Sequence, residues 1–279
     1  KAQYLNYEGM RAMFDAFEAN RFKATGIIQW MYNASWPKLW WQFYDYYLMP
    51  TAAFYGARKA NEPVHIAYNY KNNSVEILNN ALKNIHNLSA QIKLLKFDLS
   101  PALQKNIPVN DLWGQQTLSL INLPDNADLS KTYFLDLQLQ NDRHKIISRN
   151  FYVLSTQQDE MDTSRRKSTW YVTQQSQFAD MTDLQNLPKV KLQITKNFEH
   201  HGDTTWAKVT LENPTDHLAF MVHLDLIKNK SGESVVPVFW NDNYITLLPG
   251  EERTVAGYCH TRDLKGGQPG VKIDGWNVE

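Results

Sequence analysis

The sequence has little of what marks several classes of protein. It contains one cysteine, Cys259, so no internal disulfide can form. Its 29 Lys and Arg balance its 29 Asp and Glu, and no basic run suggests a nucleic-acid partner. No apolar run is long enough to span a membrane, and no signal peptide starts the chain. We therefore expect neither nucleic acid nor membrane as a partner.

Other signatures of chemistry are missing as well. The sequence has no glycine-rich phosphate loop and no hydrolase serine elbow. The motif EHHGD at 199–203 fits no standard zinc spacing, so we predict no metal site and no cofactor. Cys259 lies in a strand pattern without a histidine partner, which favours a buried, inert thiol.

Aromatic residues are abundant, and they concentrate in one stretch. Residues 26–63 carry four of the nine tryptophans: Trp30, Trp36, Trp40 and Trp41. Residues 26–30 read as a strand buried on both faces, and residues 51–61 as a helix that Pro63 stops. A buried strand, a loop and a helix form one unit of an α/β barrel, in which the loop after the strand faces the substrate.

An amphipathic helix is predicted over residues 2–20, because aromatic residues and Met10 recur at three- and four-residue steps. Its acidic residues Glu8, Asp15 and Glu18 are interpreted as a solvated face and not as a catalytic pair. The chain thus begins inside a helical pattern, and we expect it to be part of a longer protein.

From Val64 onward the hydrophobic period changes to two, which predicts antiparallel strands. Residues 131–140 alternate, with Tyr133 and three leucines on one side, as in a half-buried strand. Residues 157–172 are polar and are the best candidate for a boundary, where Trp170 and Tyr171 are expected to anchor the linker. A second series of strands begins near Val190. Two immunoglobulin-type sandwiches follow from this spacing.

Several segments resemble glycoside hydrolase family 2, with the exo-β-D-glucosaminidases as the best match and the β-mannosidases as relatives. The segments that carry this resemblance are WMYNASWP at 30–37, WQFYDYYLMP at 41–50, AFYGARKANEPVHIAYNY at 53–70, RNFYVLST at 149–156, ADMTDLQNL at 179–187, PVFWNDNYITLLPGE at 237–251 and DLKGGQPGVKIDGWN at 263–277. They keep one order and cover nearly the whole chain.

This resemblance implies a mainly β fold with four parts. Residues 1–63 are the end of the catalytic (β/α)8 barrel, with its last strand and the flanking helices. Residues 64–156 form an immunoglobulin-like sandwich, 157–188 a linker and 189–279 a second sandwich. The rest of the barrel is then a partner of this chain, and the full-length enzyme is expected to be periplasmic or secreted.

The implied activity is hydrolysis of terminal β-linked glucosamine with net retention. Retaining glycosidases use two carboxylates about 5 Å apart, and in this family both lie on earlier barrel strands. The chain is therefore expected to contain no catalytic residue and to be inactive alone. Trp30 and Asn33 are assigned to substrate binding, a flat ring for a sugar face and an amide for hydroxyls. Trp36 is assigned with them, with packing as its alternative.

Two other functions remain open: a β-mannosidase-type enzyme, and a non-catalytic carbohydrate-binding or structural module. Trp40 and Trp41 are interpreted as packing residues. Asp45 is expected to accept hydrogen bonds from neighbouring backbone. The motif WNDN at 240–243 is predicted to have the same structural role, with Asp242 and the asparagines binding backbone; a place at the border of the substrate cleft is its alternative.

Overall fold

The computed structural model describes residues 1–38, 41–125, 128–165 and 174–279. These residues divide into two compact units. The first unit combines residues 1–61 with 188–279, and the second comprises residues 62–187. The described residues are mainly in β-strands, as predicted. None of their helices is both long and apolar enough to cross a bilayer.

Both predicted helices are confirmed. Helix α1 spans Ala2–Ala19 and helix α2 spans Ala52–Ala60. Each ends at an asparagine whose side-chain amide donates to a carbonyl four residues back: Asn20 to Ala16 and Asn61 to Ala57, both at 2.7 Å. These bonds satisfy carbonyl groups that a helix end leaves without an intrahelical partner.

The predicted strand at residues 26–30 is wrong for this structure. These residues have no regular secondary structure, and Ile28 is 90% and Trp30 77% exposed. A strand buried on both faces needs a neighbour on each side to pair its backbone groups. No strand among the described residues pairs with this segment, so Ile28 and Trp30 are left largely in solvent while Ile27 is half-buried.

The acidic face of α1 is also not the solvated face that the sequence predicted. Asp15 is buried, and Arg11 on the same face is 1% exposed. The Arg11 guanidinium forms an ion pair with Glu8 and lies 5.4 Å from the centroid of the Tyr7 ring. A buried charge is tolerated when it is paired, so helical charge patterning alone did not reveal which side would be covered.

Residues 64–155 form a two-layer sandwich. Its strands are β1 Val64–Asn69, β2 Ser74–Asn79, β3 Ile85–Lys96, β4 Pro101–Leu112, β5 Thr117–Asn122, β6 Thr132–Gln140 and β7 Ile146–Ser155. One sheet has the order β1-β2-β5 and the other β4-β3-β6-β7. Ile66 and Ile77 of the first sheet share one apolar core with Ile92, Leu137 and Tyr152 of the second.

Two strands of this sandwich differ from the sequence-based expectation. Strand β6 is antiparallel as predicted but buried on both faces, with Asp136 and Gln138 covered along with the leucines. Strand β4 was not predicted, because Pro101 and Pro108 interrupt its pattern. It lies at a sheet edge, where proline is tolerated since one side of the strand makes no ladder bonds.

Residues 157–187 contain short elements. Strands β8 Glu160–Asp162 and β9 Gln174–Gln177 pair antiparallel, and 3-10 helices span Thr163–Arg165 and Thr182–Asn186. Trp170 and Tyr171, which the sequence assigned to anchoring the linker, lie outside the described residues.

The last part of the first unit is a second sandwich. Its strands are β10 Gln193–His201, β11 Thr204–Glu212, β12 Ala219–Lys228, β13 Phe239–Trp240, β14 Ile245–Leu247, β15 Glu252–His260 and β16 Pro269–Asp274. One sheet has the order β10-β11-β15-β13 and the other β14-β12-β16. In β11 the residues Thr205, Ala207, Val209 and Leu211 are buried while the alternate residues face outward.

Candidate functional site

The aromatic loop that follows residue 30 is held by backbone hydrogen bonds to the segment before α2. The Tyr32 carbonyl accepts from the amides of Phe43 at 3.0 Å and Tyr44 at 3.1 Å. The Ala34 amide donates to the Tyr44 carbonyl at 3.2 Å, and the Thr51 amide donates to the Phe43 carbonyl at 2.8 Å. The loop thus has a defined backbone, although it contains no strand.

The three residues assigned to substrate binding all fall within residues 30–36, at and just after the start of this loop. Trp30, Asn33 and Trp36 are all exposed, and the Trp30–Met31 peptide bond is cis. The Lys38 ammonium lies 4.2 Å from the centroid of the Trp36 ring, an attractive cation–π distance. Two large ring surfaces, an amide and an ammonium are therefore accessible within nine residues.

Two further tryptophans, Trp40 and Trp41, belong to the same aromatic stretch. Trp41, interpreted as a packing residue, is partly exposed, and its carbonyl accepts from the Gln29 side chain at 3.1 Å. Trp40 lies outside the described residues.

A continuous series of aromatic contacts runs from this loop to α2. The Tyr32 and Tyr44 rings are 5.1 Å apart between centroids, and Tyr44 lies 5.5 Å from Phe54 of α2. Burial, together with a hydrogen bond to Tyr32, raises the pKa of Tyr44 to about 12. Tyr44 is therefore a neutral phenol at physiological pH. These ring contacts connect the loop to α2 and thereby restrict its position relative to that helix.

Asp45 has the structural role that the sequence predicted. Its Oδ1 accepts from the backbone amides of Tyr47 at 2.8 Å and Met49 at 2.9 Å. This is the side-chain-to-backbone bonding by which aspartate stabilises a tight turn. The turn reverses the chain between the aromatic loop and α2.

The motif at 240–243 also bonds backbone, as predicted. Asn243 Oδ1 accepts from the Leu224 amide at 2.8 Å, and its Nδ2 donates to the Leu224 carbonyl at 2.9 Å. Asp242 Oδ1 accepts from the Asn243 amide. Since Asn243 is buried, these bonds satisfy polar groups that would otherwise be costly to bury.

A feature that sequence reasoning missed is the contact of this motif with α2. Asp242 Oδ2 lies 2.9 Å from Arg253 Nη2 and 3.8 Å from Lys59 Nζ. Arg58 Nη1 donates to the Trp240 carbonyl at 2.7 Å. The available signal in the sequence was the pair of basic residues, Arg58 and Lys59, in the last turn of α2, where basic side chains also suit the helix dipole.

The histidines of the EHHGD motif do not converge. His201 Nε2 lies 3.1 Å from Glu199 Oε2, while His200 Nδ1 lies 2.9 Å from Thr205 Oγ1. Across 1–38, 41–125, 128–165 and 174–279, no three His, Cys, Asp or Glu side chains are grouped closely enough to hold an ion. Cys259 is buried, and burial raises the pKa of its thiol to about 11. A thiol in that state is a weak nucleophile at neutral pH.

Comparison with known families and proteins supports the sequence-based resemblance. The family model for the exo-β-D-glucosaminidase Ig-fold domain matches residues 170–278. An exo-β-D-glucosaminidase of Amycolatopsis orientalis is 37% identical over all of this chain and 27% of its own length. One from Arthroderma benhamiae is 34% identical over all of this chain and 31% of its own. The chain thus spans roughly three tenths of the length of these relatives.

Solved structures agree. The crystal structure of the exo-chitosanase CsxA of Amycolatopsis orientalis matches 99% of this chain and 33% of its own, with a TM-score of 0.93 and 36% identity. A complex of the same enzyme with PNP-β-D-glucosamine matches with a TM-score of 0.92.

Among the relatives found by sequence, a mannosylglycoprotein endo-β-mannosidase of Lilium longiflorum is more distant, at 24% identity. The resemblance to the exo-β-D-glucosaminidases and the Ig fold of the last sandwich are therefore confirmed.

Proposed function

We propose that this chain, a homologue of the exo-β-D-glucosaminidases along its full length, is part of a retaining glycosidase that removes terminal β-linked glucosamine. The observation that carries the proposal is the extent of the match, which includes residues 1–63 as well as both sandwiches. A match to the Ig-fold domain alone would support only an accessory module.

The proposed organisation has residues 1–63 as the end of the catalytic barrel, 64–156 and 189–279 as sandwiches, and 157–188 as the connection. In this proposal residues 26–30 become a barrel strand when the rest of the barrel supplies its neighbours. The exposure of Ile28 supports this idea, because a large apolar side chain in solvent is stabilised by a covering partner.

The loop after that strand then faces the sugar, since loops at the carboxyl ends of barrel strands surround the active site. Trp30 and Trp36 offer ring faces to the apolar C–H faces of a pyranose, and Asn33 offers both a donor and an acceptor for hydroxyls. The hydrogen bonds of Tyr32 and Ala34 support this role, because they restrict the loop before substrate arrives.

The chemistry requires a general acid/base and a nucleophilic carboxylate about 5 Å apart. We propose that both belong to the part of the enzyme outside this chain. Asp45 and Asp242 are committed to backbone and to basic side chains, which supports assigning neither to catalysis. The chain alone is then inactive.

The test is turnover of aryl β-glucosaminide and aryl β-mannoside by this chain and by a longer protein that includes the rest of the barrel. We expect hydrolysis of the glucosaminide by the longer protein only. Turnover by the 279-residue chain would show that it holds the catalytic pair. A preference of the longer protein for the mannoside would favour the β-mannosidase-type alternative.

A further inference from the structure

We propose that the last sandwich carries an accessory binding site for a β-linked glucosamine oligosaccharide. The site lies on the outward face of strands β10, β11 and β15, on residues other than those of the aromatic loop. It binds without hydrolysing, so it adds a function to the sandwich that the proposed activity does not require.

A column of aromatic rings crosses this face. Phe239 of β13, Tyr258 of β15 and Trp206 of β11 are cross-strand neighbours. Phe239 and Tyr258 have centroids 5.1 Å apart with planes 28° apart, and Tyr258 and Trp206 are 4.7 Å and 30° apart. The column restricts its middle ring most, because Tyr258 packs between Phe239 and Trp206.

Trp206 ends the column, and it is 39% exposed. Tyr258 covers one face of its indole, so the other face is directed toward β10, whose residue Glu199 pairs with Trp206 across the sheet. The indole N–H donates to Thr204 Oγ1 at 3.2 Å, which fixes the ring. A rigid, open ring face is what an apolar pyranose face requires.

Polar groups surround this ring face. A trough of about 520 Å³ is lined by Trp206, Glu199, Asn197 and Lys208, with the small residue Ala256 beside them. This volume is within the range of small-ligand sites. Ala256 leaves room next to Lys208, its cross-strand neighbour.

The acidic group selects the ligand. Glu199 accepts from Asn197 Nδ2 at 2.8 Å through Oε1 and lies 3.1 Å from His201 Nε2 through Oε2. These contacts hold the carboxylate at the trough while its remaining lone pairs stay available. A 2-ammonium group complements that carboxylate, and Asn197 and Lys208 suit hydroxyl oxygens. The combination fits a glucosamine unit better than a neutral or acidic sugar.

The test is calorimetric titration of the 279-residue chain with a β-1,4-glucosamine tetramer, its N-acetylated form and cellotetraose. We expect the glucosamine tetramer to bind most tightly. Trp206→Ala should weaken the binding of each tetramer that the unsubstituted chain binds. The expected loss is roughly tenfold in affinity, as the loss of one stacked ring implies. Glu199→Gln should weaken only the glucosamine tetramer and thereby remove the preference.

The matched control is Trp113→Ala, which removes an exposed tryptophan of the other unit and should leave all affinities unchanged. Equal loss in the Trp113 and Trp206 variants, or no binding by the unsubstituted chain at millimolar ligand, would overturn the proposal. Tighter binding of cellotetraose would overturn the assignment to glucosamine. Because this assay measures no turnover, its failure leaves the proposed hydrolytic activity untouched.

Discussion

Arg58 donates a hydrogen bond to the carbonyl of Trp240, 182 positions later in the chain, at 2.7 Å. The two residues join the last turn of α2 to the second sandwich. Lys59 and Asp242 reinforce the contact at 3.8 Å. The first unit is therefore assembled from two segments that the intervening sandwich separates in sequence, and polar contacts from one helix turn help to hold them together.

Removing the Arg58 side chain should destabilise this unit. A hydrogen bond from a charged donor contributes about 1.5–3 kcal/mol, and Arg58→Ala also leaves the Trp240 carbonyl without this donor. We expect a decrease of that size in the free energy of unfolding by urea. Arg262→Ala is the control, because that side chain is 83% exposed and should change stability by less than about 0.5 kcal/mol. Equal effects of the two substitutions would contradict the structural role of Arg58.

Two glycines on the paired helices should respond in opposite ways to alanine. A Cβ at Gly56 of α2 would lie 2.3 Å from the Tyr7 carbonyl oxygen of α1, so the helices must separate. We expect Gly56→Ala to cost roughly 1–3 kcal/mol. Gly9 of α1 has open space around its Cα, and Gly9→Ala should stabilise by about 0.5–1 kcal/mol. The measurement is the melting temperature of both variants. An unchanged melting temperature for Gly56→Ala would contradict the close approach of α1 to α2 at this glycine.

Asp180 should make the second unit sensitive to acid. Hydrogen bonds from the Thr182 hydroxyl and amide, and then from Lys131, lower the pKa of Asp180 to about 2, against about 3.9 in an unfolded chain. Its stabilising contribution is therefore present above pH ~4 and is lost as the pH falls toward ~2.

Asp180→Asn should accordingly flatten the dependence of the melting temperature on pH between ~4 and ~2. The effect should shrink in high salt, since the group is at the surface. Asp142→Asn, at an exposed turn of the same unit, should keep the original dependence. An unchanged slope in the Asp180 variant would show that its hydrogen bonds do not persist in solution.

Trp30 and Trp41 should differ in their effect on activity in the longer enzyme. If Trp30 stacks on the sugar, Trp30→Ala should reduce kcat/KM for the aryl glucosaminide by roughly tenfold, as expected for one ring contact. Trp41→Ala, on the same stretch, should have a smaller effect. The reverse order would move the sugar site away from Trp30. Circular dichroism of both variants would separate a folding defect from a binding defect.

Local patterns in the sequence determined much of this structure. Helical periodicity at Tyr4 and Met10 located α1, the alternating strands located both sandwiches, and Asp45 and Asn243 had the turn and backbone roles that their chemistry suggests. The segments that resemble exo-β-D-glucosaminidases identified the relatives correctly. These properties depend on residues close together in sequence: the spacing of apolar side chains, and the hydrogen bonds that Asp and Asn side chains make to nearby backbone.

Tertiary structure decided what depends on distant partners. Ile28 and Trp30 have the composition of a buried strand, yet a strand exists only where another strand pairs with it. Asp136 and Arg11 look like surface residues, yet packing buries both, because charge in sequence does not specify which face a neighbour covers. Likewise, the contact of Arg58 with Trp240 and the ring column that ends at Trp206 arise only when separate segments fold together. The sequence by itself specified most of the elements, but not the state of residues 26–30 or strand β4. Long-range packing decided which faces of the elements are covered and which remain open to a ligand.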